Sequence, residues 1–387
     1  MRLSLILTLI AIFIALGGPR CYAETNDSVP ELARALSQLP PDSSVLDLRE
    51  GTYTIASTWR IARDGITIRG AGIGKTVLVR DPRFNDIMVH IDGANTTITG
   101  LTLDGNGTGR VIFLDRPGVV ADTIEVKNFT RIGIGVPAPA SDCRISHCLV
   151  RGSHTPSSGI WRDAGPTSSD SAIMIDHNTV TDSGIYCTGG KVSIVANQLS
   201  RNHCEREGGG GQIDVGNAFT RNTIATITGN TIVDGGGPQA GGIEAGGGYF
   251  TITNNIIRNH GLAGIGIGHN VIGAKVTGNI ISNSGRYIAD RNRPQCRSGI
   301  YVGYSATNLE ISGNQCFDDQ PNKTQTWGII LVGPPARPDP RFSPKAMEHV
   351  AIKGNDLHGN IHPEGLLEES GARDRIVSAN LPARANR

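Results

Sequence analysis

The sequence has 387 residues, with 36 basic and 35 acidic side chains and a formal net charge of +1. This balance excludes binding driven by bulk electrostatics to nucleic acid or to an anionic membrane surface. Glycine is frequent, with 51 residues or about 13% of the chain against a usual value of about 7%, and aromatic residues make up only 5%. The chain therefore needs many tight turns and a core of aliphatic side chains, which favours a solenoid.

The N-terminal segment has the form of a secretory signal peptide. Arg2 precedes a largely apolar run from Leu3 to Leu16, and a short segment then leads to Ala23, after which we place the cleavage site. The run is shorter than the roughly 20 residues that a membrane span needs. We therefore expect a secreted or periplasmic protein that is not inserted in a membrane after cleavage.

We divide the chain into four segments: a signal peptide at 1–23, an N-terminal cap with the first coil at 24–60, a repeat region at 61–360, and a C-terminal cap or tail at 361–387. A helix is predicted from Val29 to Leu39, where Leu32, Ala35 and Leu36 share one face with Leu39. Such a helix covers the open end of a solenoid.

A repeated phrase runs through the second half of the chain: an apolar residue, two small or polar residues, and Asn. It ends at Asn178, Asn197, Asn230, Asn255, Asn279, Asn314 and Asn355, with steps of 19 to 41 residues. The spacing predicts coils of about 24 residues, some of them carrying insertions. Inward Asn side chains would bond the backbone groups that each bend leaves unpaired.

A second phrase, Gly-Ile-x-apolar, lies between successive Asn phrases, as in Gly184–Tyr186 and Gly242–Ala245. Alternating Ile and Val residues exclude the 3.6-residue period of helices and predict short strands that stack about 4.8 Å apart. Each coil therefore has at least two strands, and the predicted fold is an all-β, single-stranded right-handed parallel β-helix with a short N-terminal capping helix.

These two phrases resemble the right-handed parallel β-helix superfamily of pectate lyases, polygalacturonases and alginate epimerases. The resemblance implies a carbohydrate-active protein whose partner is a polysaccharide or oligosaccharide. The sequence does not contain the complete set of catalytic residues of any one of these families. Arg293–Arg297 is similar to a lyase motif but has Asn292 in place of its first Arg, and Gly268-His269-Asn270 departs from the Gly-His-Gly of polygalacturonases.

Two carboxylates are predicted side by side on adjacent coils. If the Ile of each Gly-Ile strand points inward, the next residue points outward. This outward column reads Trp161, Tyr186, Asp214, Glu244, Gly266, Tyr301 and Ile330. Two neighbouring carboxyl groups repel each other when both are charged, so their pKa values move apart. Such a pair supplies the acid and the base or nucleophile of glycosidic cleavage. We assign Glu244 as the acid and Asp214 as its partner, a choice that can be reversed, and add Asp234 as a third catalytic candidate.

The predicted substrate contacts combine aromatic residues, which stack on sugar rings, with polar residues of the insertions and turns around the pair. They are Trp161, Tyr186, Glu207, His260, His269, Arg286, Arg291, Arg293 and Tyr301. A nearly bare neighbouring column, Gly216, Gly246, Gly268 and Gly303, lets a polymer approach the backbone. No metal site and no cofactor are predicted.

Three functions are compatible with this pattern. The first is a glycoside hydrolase or intramolecular transglycosylase that uses the carboxylate pair. The second is a lyase or C5-epimerase of uronate polymers, with Arg291 or Arg293 abstracting a proton and calcium as an optional cofactor. The third is a non-catalytic glycan-binding solenoid. The polysaccharide, the stereochemical outcome and the oligomeric state stay open.

Six cysteines follow the signal segment, and disulfides are permitted in an exported chain. The local pairs Cys187 with Cys204 and Cys296 with Cys316 are the bridges we consider, among 15 possible pairings.

Overall fold

The structure is a computed structural model. It describes residues 27–153, 157–165, 170–201, 210–216, 222–235, 240–268, 270–286, 297–303, 305–333, 346–368 and 371–381. The signal segment and the linkage at Ala23 lie outside these ranges.

The described chain folds into three long parallel sheets that wind around one axis, which is the right-handed parallel β-helix predicted from the sequence. Sheet A has 13 strands, sheet B has 11 and sheet C has 12, and up to β34 strands three apart in sequence are neighbours in each sheet. Each coil up to β33 therefore contributes one strand to each sheet, whereas the last neighbours, β34 with β36 and β33 with β35, are two apart because sheet B ends at β32.

The strands are numbered β1 to β36 along the chain. Sheet A contains β1 Val45–Asp47, β4 Thr67–Arg69, β7 Thr97–Thr99, β10 Val120–Asp122, β13 Cys143–Ser146, β16 Ala172–Asp176, β19 Gly190–Val195, β22 Thr223–Thr228, β25 Gly248–Thr253, β28 Val271–Thr277, β31 Thr307–Ser312, β34 Glu348–Lys353 and β36 Arg373–Ser378. Sheet B contains β2 Gly51–Ile55, β5 Thr76–Arg80, β8 Thr102–Asp104, β11 Glu125–Phe129, β14 Leu149–Gly152, β17 Thr179–Thr181, β20 Gln198–Ser200, β23 Thr231–Val233, β26 Ile256–Arg258, β29 Ile280–Ser282 and β32 Gln315–Phe317.

Sheet C contains β3 Trp59–Ile61, β6 Val89–Ile91, β9 Arg110–Leu114, β12 Ile132–Pro137, β15 Ser158–Asp163, β18 Gly184–Thr188, β21 Gly210–Gly216, β24 Ala240–Gly246, β27 Ile265–Ile267, β30 Ser298–Val302, β33 Trp327–Leu331 and β35 Leu366–Glu368. Strands β35 and β36 fall within the segment assigned as a C-terminal cap or tail, and β36 is exposed along its whole length.

Helix α1, Val29–Gln38, closes the N-terminal end of the solenoid as predicted. A proline in its first turn is tolerated because the first helical N–H groups have no partner within the helix. Val29 and Leu32 are buried, and Ala35 and Leu36 pack partly against the core. No helix in the described ranges has the length and apolar character needed to cross a membrane.

The interior of the solenoid is built from stacked aliphatic side chains. The Ile residues of the Gly-Ile phrases pair in register from coil to coil and are all fully buried: Ile185, Ile213, Ile243, Ile265, Ile300 and Ile329. Burying one such side chain stabilises the fold by about 1.5–3 kcal/mol. Inward Ile fixes the next residue of each strand on the outer face.

A continuous ladder of buried asparagines links the coils and confirms the role predicted for the repeated Asn. Asn230, for example, donates from Nδ2 to Oδ1 of Asn255 at 2.9 Å, and its backbone N–H donates to the same oxygen at 3.0 Å. The ladder runs through all seven predicted positions and continues to Asn380. Asn380 is the last residue of Val377–Asn380, a copy of the repeated Asn phrase that was not recognised in the sequence.

The structure contradicts the two disulfides considered from the sequence. Cys187 and Cys316 are free, buried thiols. Cys316 pairs in register with the inward Ile281, and Cys187 is likewise buried in the core, so both thiols are enclosed within the coil. Their proposed partners, Cys204 and Cys296, lie outside the described residues.

Candidate functional site

The outer face of sheet C carries the predicted column of side chains in the predicted register. Trp161 pairs with Tyr186, Tyr186 with Asp214, and Asp214 with Glu244. The column continues in register through Gly266 to Tyr301 and Ile330, but Ile330 is fully buried and does not face solvent as predicted. Adjacent strands of a sheet lie about 4.8 Å apart, so Asp214 and Glu244 start from neighbouring backbone positions on the same wall.

The environments of the two carboxyl groups differ. Glu244 is only partly accessible to solvent, and its burial, followed by the negative charge of Asp214, raises the pKa of the Glu244 carboxyl to about 8. Glu244 is therefore protonated at neutral pH and can donate a proton. Asp214 is partly exposed on the preceding coil.

The Glu244 carboxyl group lies over the backbone of the following coil. A Cβ atom built on Gly266 would fall 2.3 Å from Oε2, and one on Gly241 would fall 3.2 Å from Oε1. Gly266 thus leaves the space that the carboxyl group occupies, and a side chain at this point of the column would displace it.

An open cavity of about 480 Å³ adjoins the pair on its N-terminal side. Asp214, Tyr186 and Trp161 contribute to its wall, whereas Glu244 lies one coil beyond it. The lining residues are Thr130, Arg131, Ile132, Ser158, Trp161, Tyr186, Cys187, Thr188, Asp214 and Gly216. Two aromatic rings, hydroxyl groups, a cation and a carboxylate thus face one space, which suits a sugar ring better than an apolar ligand.

Gly216 brings the backbone of this wall close to the next coil. Its φ of +97° lies in the region that favours glycine, and an added Cβ would meet the Gly246 carbonyl oxygen at 2.1 Å. The bare strip beside the column therefore depends on glycine for both conformation and close approach.

Asp234 is exposed on the turn after β23, in sheet B, and accepts a hydrogen bond of 2.8 Å from Nδ2 of Asn259. It does not belong to the outer column of sheet C. The structure thus does not bring Asp234 into line with Asp214 and Glu244.

His260 is enclosed inside the solenoid, which corrects its assignment as a substrate contact. It is fully buried, its Nε2 lies 3.4 Å from Nε2 of the buried Gln212, and burial lowers the pKa of its imidazole to about 3. His260 packs against Gly235, where an added Cβ would lie 2.8 Å from Cδ2. A ligand on the outer wall does not reach it.

Arg286 is exposed and donates its backbone N–H to the carbonyl oxygen of His260 at 3.1 Å. It stands at the start of the predicted basic insertion. The remaining predicted contacts, Glu207, His269, Arg291 and Arg293, lie outside the described residues.

Several residues of the site were missed from the sequence, notably Arg131 and Ser158 in the cavity wall and Phe113 beside Trp161. Arg131 immediately precedes β12, an earlier strand whose Gly133-Ile134 has the Gly-Ile form and would have extended the alignment by one coil. The Phe113 ring lies 6.2 Å from the Trp161 ring, across Gly135, where an added Cβ would touch Phe113 at 2.8 Å. Phe113 is nearly buried and supports Trp161 from below.

Comparison with known proteins places the chain by fold alone. A PL6 alginate lyase in complex with trisaccharide matches with a TM-score of 0.67 and 15% identity over 93% of this chain and 83% of that chain. The alginate lyase AlyF-OU02 in complex with G6 gives 0.66 and 15% over 92% and 84%. The likeness is one of architecture.

The Dettilon tailspike protein gp208 matches with a TM-score of 0.56 and 16% identity, covering 91% of this chain and 62% of the tailspike. The chain therefore spans less than two thirds of the tailspike. No family model matches the sequence. No curated protein matches it either.

Proposed function

We propose that this protein is an exported enzyme that cleaves glycosidic bonds in a polysaccharide, as a hydrolase or intramolecular transglycosylase. The observation that carries the proposal is the in-register pair Asp214 and Glu244, in which the Glu244 carboxyl has a pKa raised to about 8. Glycosidic cleavage requires one carboxyl group that is protonated at neutral pH, as the acid, beside a second one that acts as base or nucleophile.

In this mechanism Glu244 donates its proton to the glycosidic oxygen as the bond to the anomeric carbon breaks. Asp214 supplies the second function, either by attacking the anomeric carbon or by taking a proton from the attacking water. Trp161 and Tyr186 hold sugar rings in the adjoining cavity, so the polymer lies along the solenoid axis across several coils.

A lyase or C5-epimerase acting on uronate polymers is the second candidate. Arg131 in the cavity wall supports it, because a guanidinium group neutralises a uronate carboxylate. The likeness in fold to two alginate lyases is consistent with it. Here the reaction removes the proton next to the carboxylate, and calcium on acidic side chains is an option.

A panel of neutral and uronic acid polysaccharides decides between the two. We expect new reducing ends without the ultraviolet absorbance of unsaturated uronates. Unsaturated products would show that elimination is the main reaction, and a change of uronate configuration without chain cleavage would identify an epimerase.

The carboxylate pair is tested with Glu244→Gln and Asp214→Asn, each expected to lower kcat by about 10²-fold or more. Glu310→Gln is the matched control, since Glu310 is an exposed strand carboxylate of sheet A paired in register with Lys275. Near-normal turnover by Glu244→Gln refutes the assignment. Export is tested separately by N-terminal sequencing of the mature protein, which we expect to begin at Glu24.

A further inference from the structure

A second group of polar side chains lies on the outer face of sheet C, close to the N-terminal end of the solenoid. His90 in β6 pairs in register with Arg60 and Phe113, and Asp92 and Asp115 follow the ends of β6 and β9. His90 lies six coils before Glu244, or about 29 Å along the axis. The group is therefore separate from the candidate catalytic pair.

The imidazole of His90 stands between two carboxylates. Its Nε2 contacts Oδ2 of Asp115, and its Nδ1 lies 3.4 Å from Oδ1 of Asp92. Both Nδ1 of His90 and Oδ1 of Asp115 are shielded from solvent and have no hydrogen-bond partner among the described residues. The side chain of His90 is only 12% exposed, so its unpaired nitrogen is directed into the group rather than into solvent.

This arrangement leaves two acceptors facing each other. If Nε2 carries the proton that Asp115 accepts, Nδ1 presents a lone pair, and another acceptor, Oδ1 of Asp92, lies 3.4 Å from it. A shielded acceptor without a donor is energetically costly. A cation between Nδ1 and Asp92 removes this cost.

We propose that His90, Asp92 and Asp115 form a binding site for a divalent metal ion of the zinc type. The separation of 3.4 Å between Nδ1 and Oδ1 is close to the distance of about 3.3 Å between two ligands of a tetrahedral ion with bonds of about 2.0–2.1 Å. One ligand atom from each of the three residues lies within 4.8 Å of the others.

The chemistry of the ligands selects the ion. An imidazole nitrogen with carboxylate oxygens suits zinc and its first-row neighbours, whereas calcium and magnesium prefer oxygen ligands alone. Asp115, in contact with Nε2, either orients the imidazole or joins the coordination sphere. Arg60 binds the other oxygen of Asp92 at 2.7 Å and so leaves Oδ1 for the ion.

The ion would link two neighbouring coils, since Asp92 follows β6 and Asp115 follows β9. Binding to the folded state alone stabilises it by mass action, so saturating zinc should raise the melting temperature. This role is independent of the proposed enzymatic activity and can be measured without a substrate.

The test is calorimetric titration of chelator-treated protein with Zn²⁺, with the visible spectrum of the Co²⁺ form as a second readout. We expect one high-affinity equivalent of Zn²⁺, and Co²⁺ bands typical of a nitrogen and oxygen ligand set. Ca²⁺ and Mg²⁺ should bind at least 10-fold more weakly.

His90→Gln and Asp92→Asn should each weaken Zn²⁺ binding at least 10-fold. His349→Gln, which removes an exposed histidine paired with Asp374 at 3.5 Å, is the matched control and should leave it unchanged. Circular dichroism checks folding, and Asp92→Asn stands in if His90→Gln does not fold. Absence of the high-affinity equivalent in the wild-type protein, or Zn²⁺ binding by both variants equal to that of the wild-type protein, overturns the proposal.

Discussion

The Glu244 carboxyl group lies directly over the Cα of Gly266 on the following coil, where a Cβ atom would come within 2.3 Å of Oε2. The atoms that an added Cβ would meet belong to the end of the flexible Glu244 side chain and not to the backbone. The fold should therefore accept a methyl group at Gly266, while the Glu244 carboxyl group moves.

Gly266→Ala should therefore lower kcat by about 10-fold or more, because small displacements of a reacting group are costly, and should change the melting temperature little. Steady-state kinetics and thermal unfolding check this. Gly273→Ala, on sheet A beside Tyr249, is the control and should keep full activity. Unchanged kcat in Gly266→Ala would falsify the view that Glu244 acts from its position over Gly266.

The raised pKa of Glu244 links stability to pH. The folded protein holds this proton up to pH of about 8, whereas the unfolded chain releases it near 4.5. Between these values the folded state binds more protons, so the contribution of Glu244 to the free energy of unfolding is complete at low pH and is lost as pH rises through about 8.

Urea unfolding between pH 5 and pH 8 should thus show a steeper fall for the wild-type protein than for Glu244→Gln. Parallel curves would place the pKa of Glu244 near its ordinary value. The same group predicts that kcat/KM declines as pH rises through about 8, since the acid form is the active one.

The asparagine ladder should be expensive to break. Asn255→Ala leaves the backbone N–H and Nδ2 of Asn230 without their acceptor, which should cost about 3 kcal/mol. Asn308→Gly is a suitable comparison because Asn308 is exposed at a φ of +52° that glycine adopts freely. Denaturant midpoints measure both, and a similar loss in the two variants would contradict a special role for the ladder.

Trp161 should contribute to substrate binding more than to chemistry. Removing its ring with Trp161→Ala is expected to raise KM by about 3- to 10-fold, the value of one aromatic contact, with a smaller change in kcat. Tyr249→Ala removes an exposed aromatic ring from sheet A and should leave both constants unchanged. Equal KM values in the wild-type protein and Trp161→Ala would exclude the ring from the binding cavity.

The sequence predicted the periodic parts of the molecule well because ladders repeat the same constraint in every coil. The register of Asp214 with Glu244 followed from the buried Ile213 and Ile243 beside them. The fate of His260 could not be predicted, since a turn residue has no periodic neighbour to fix its direction. Gln212 shows the same limit: it stands where other coils have glycine, and its side chain turns inward toward His260.

The group around His90 escaped sequence analysis for a related reason. Its members come from two coils that match the repeat only loosely, and Asp115 is 23 residues beyond Asp92. Only the stacking of β6 on β9 brings them together.

The asparagine ladder also separates changes in the interior of the solenoid from changes in the length of the chain between its coils. Successive asparagines of the ladder are 19 to 41 residues apart in sequence, yet their side chains make hydrogen bonds of the same length. The geometry of the ladder therefore does not depend on how many residues lie between two of its asparagines. Segments that leave and rejoin the coil at the edges of sheet C can therefore be lengthened, shortened or exchanged without refitting the interior. A scaffold of this type permits grafting of recognition loops from one chain to another while the wall beneath them keeps its spacing.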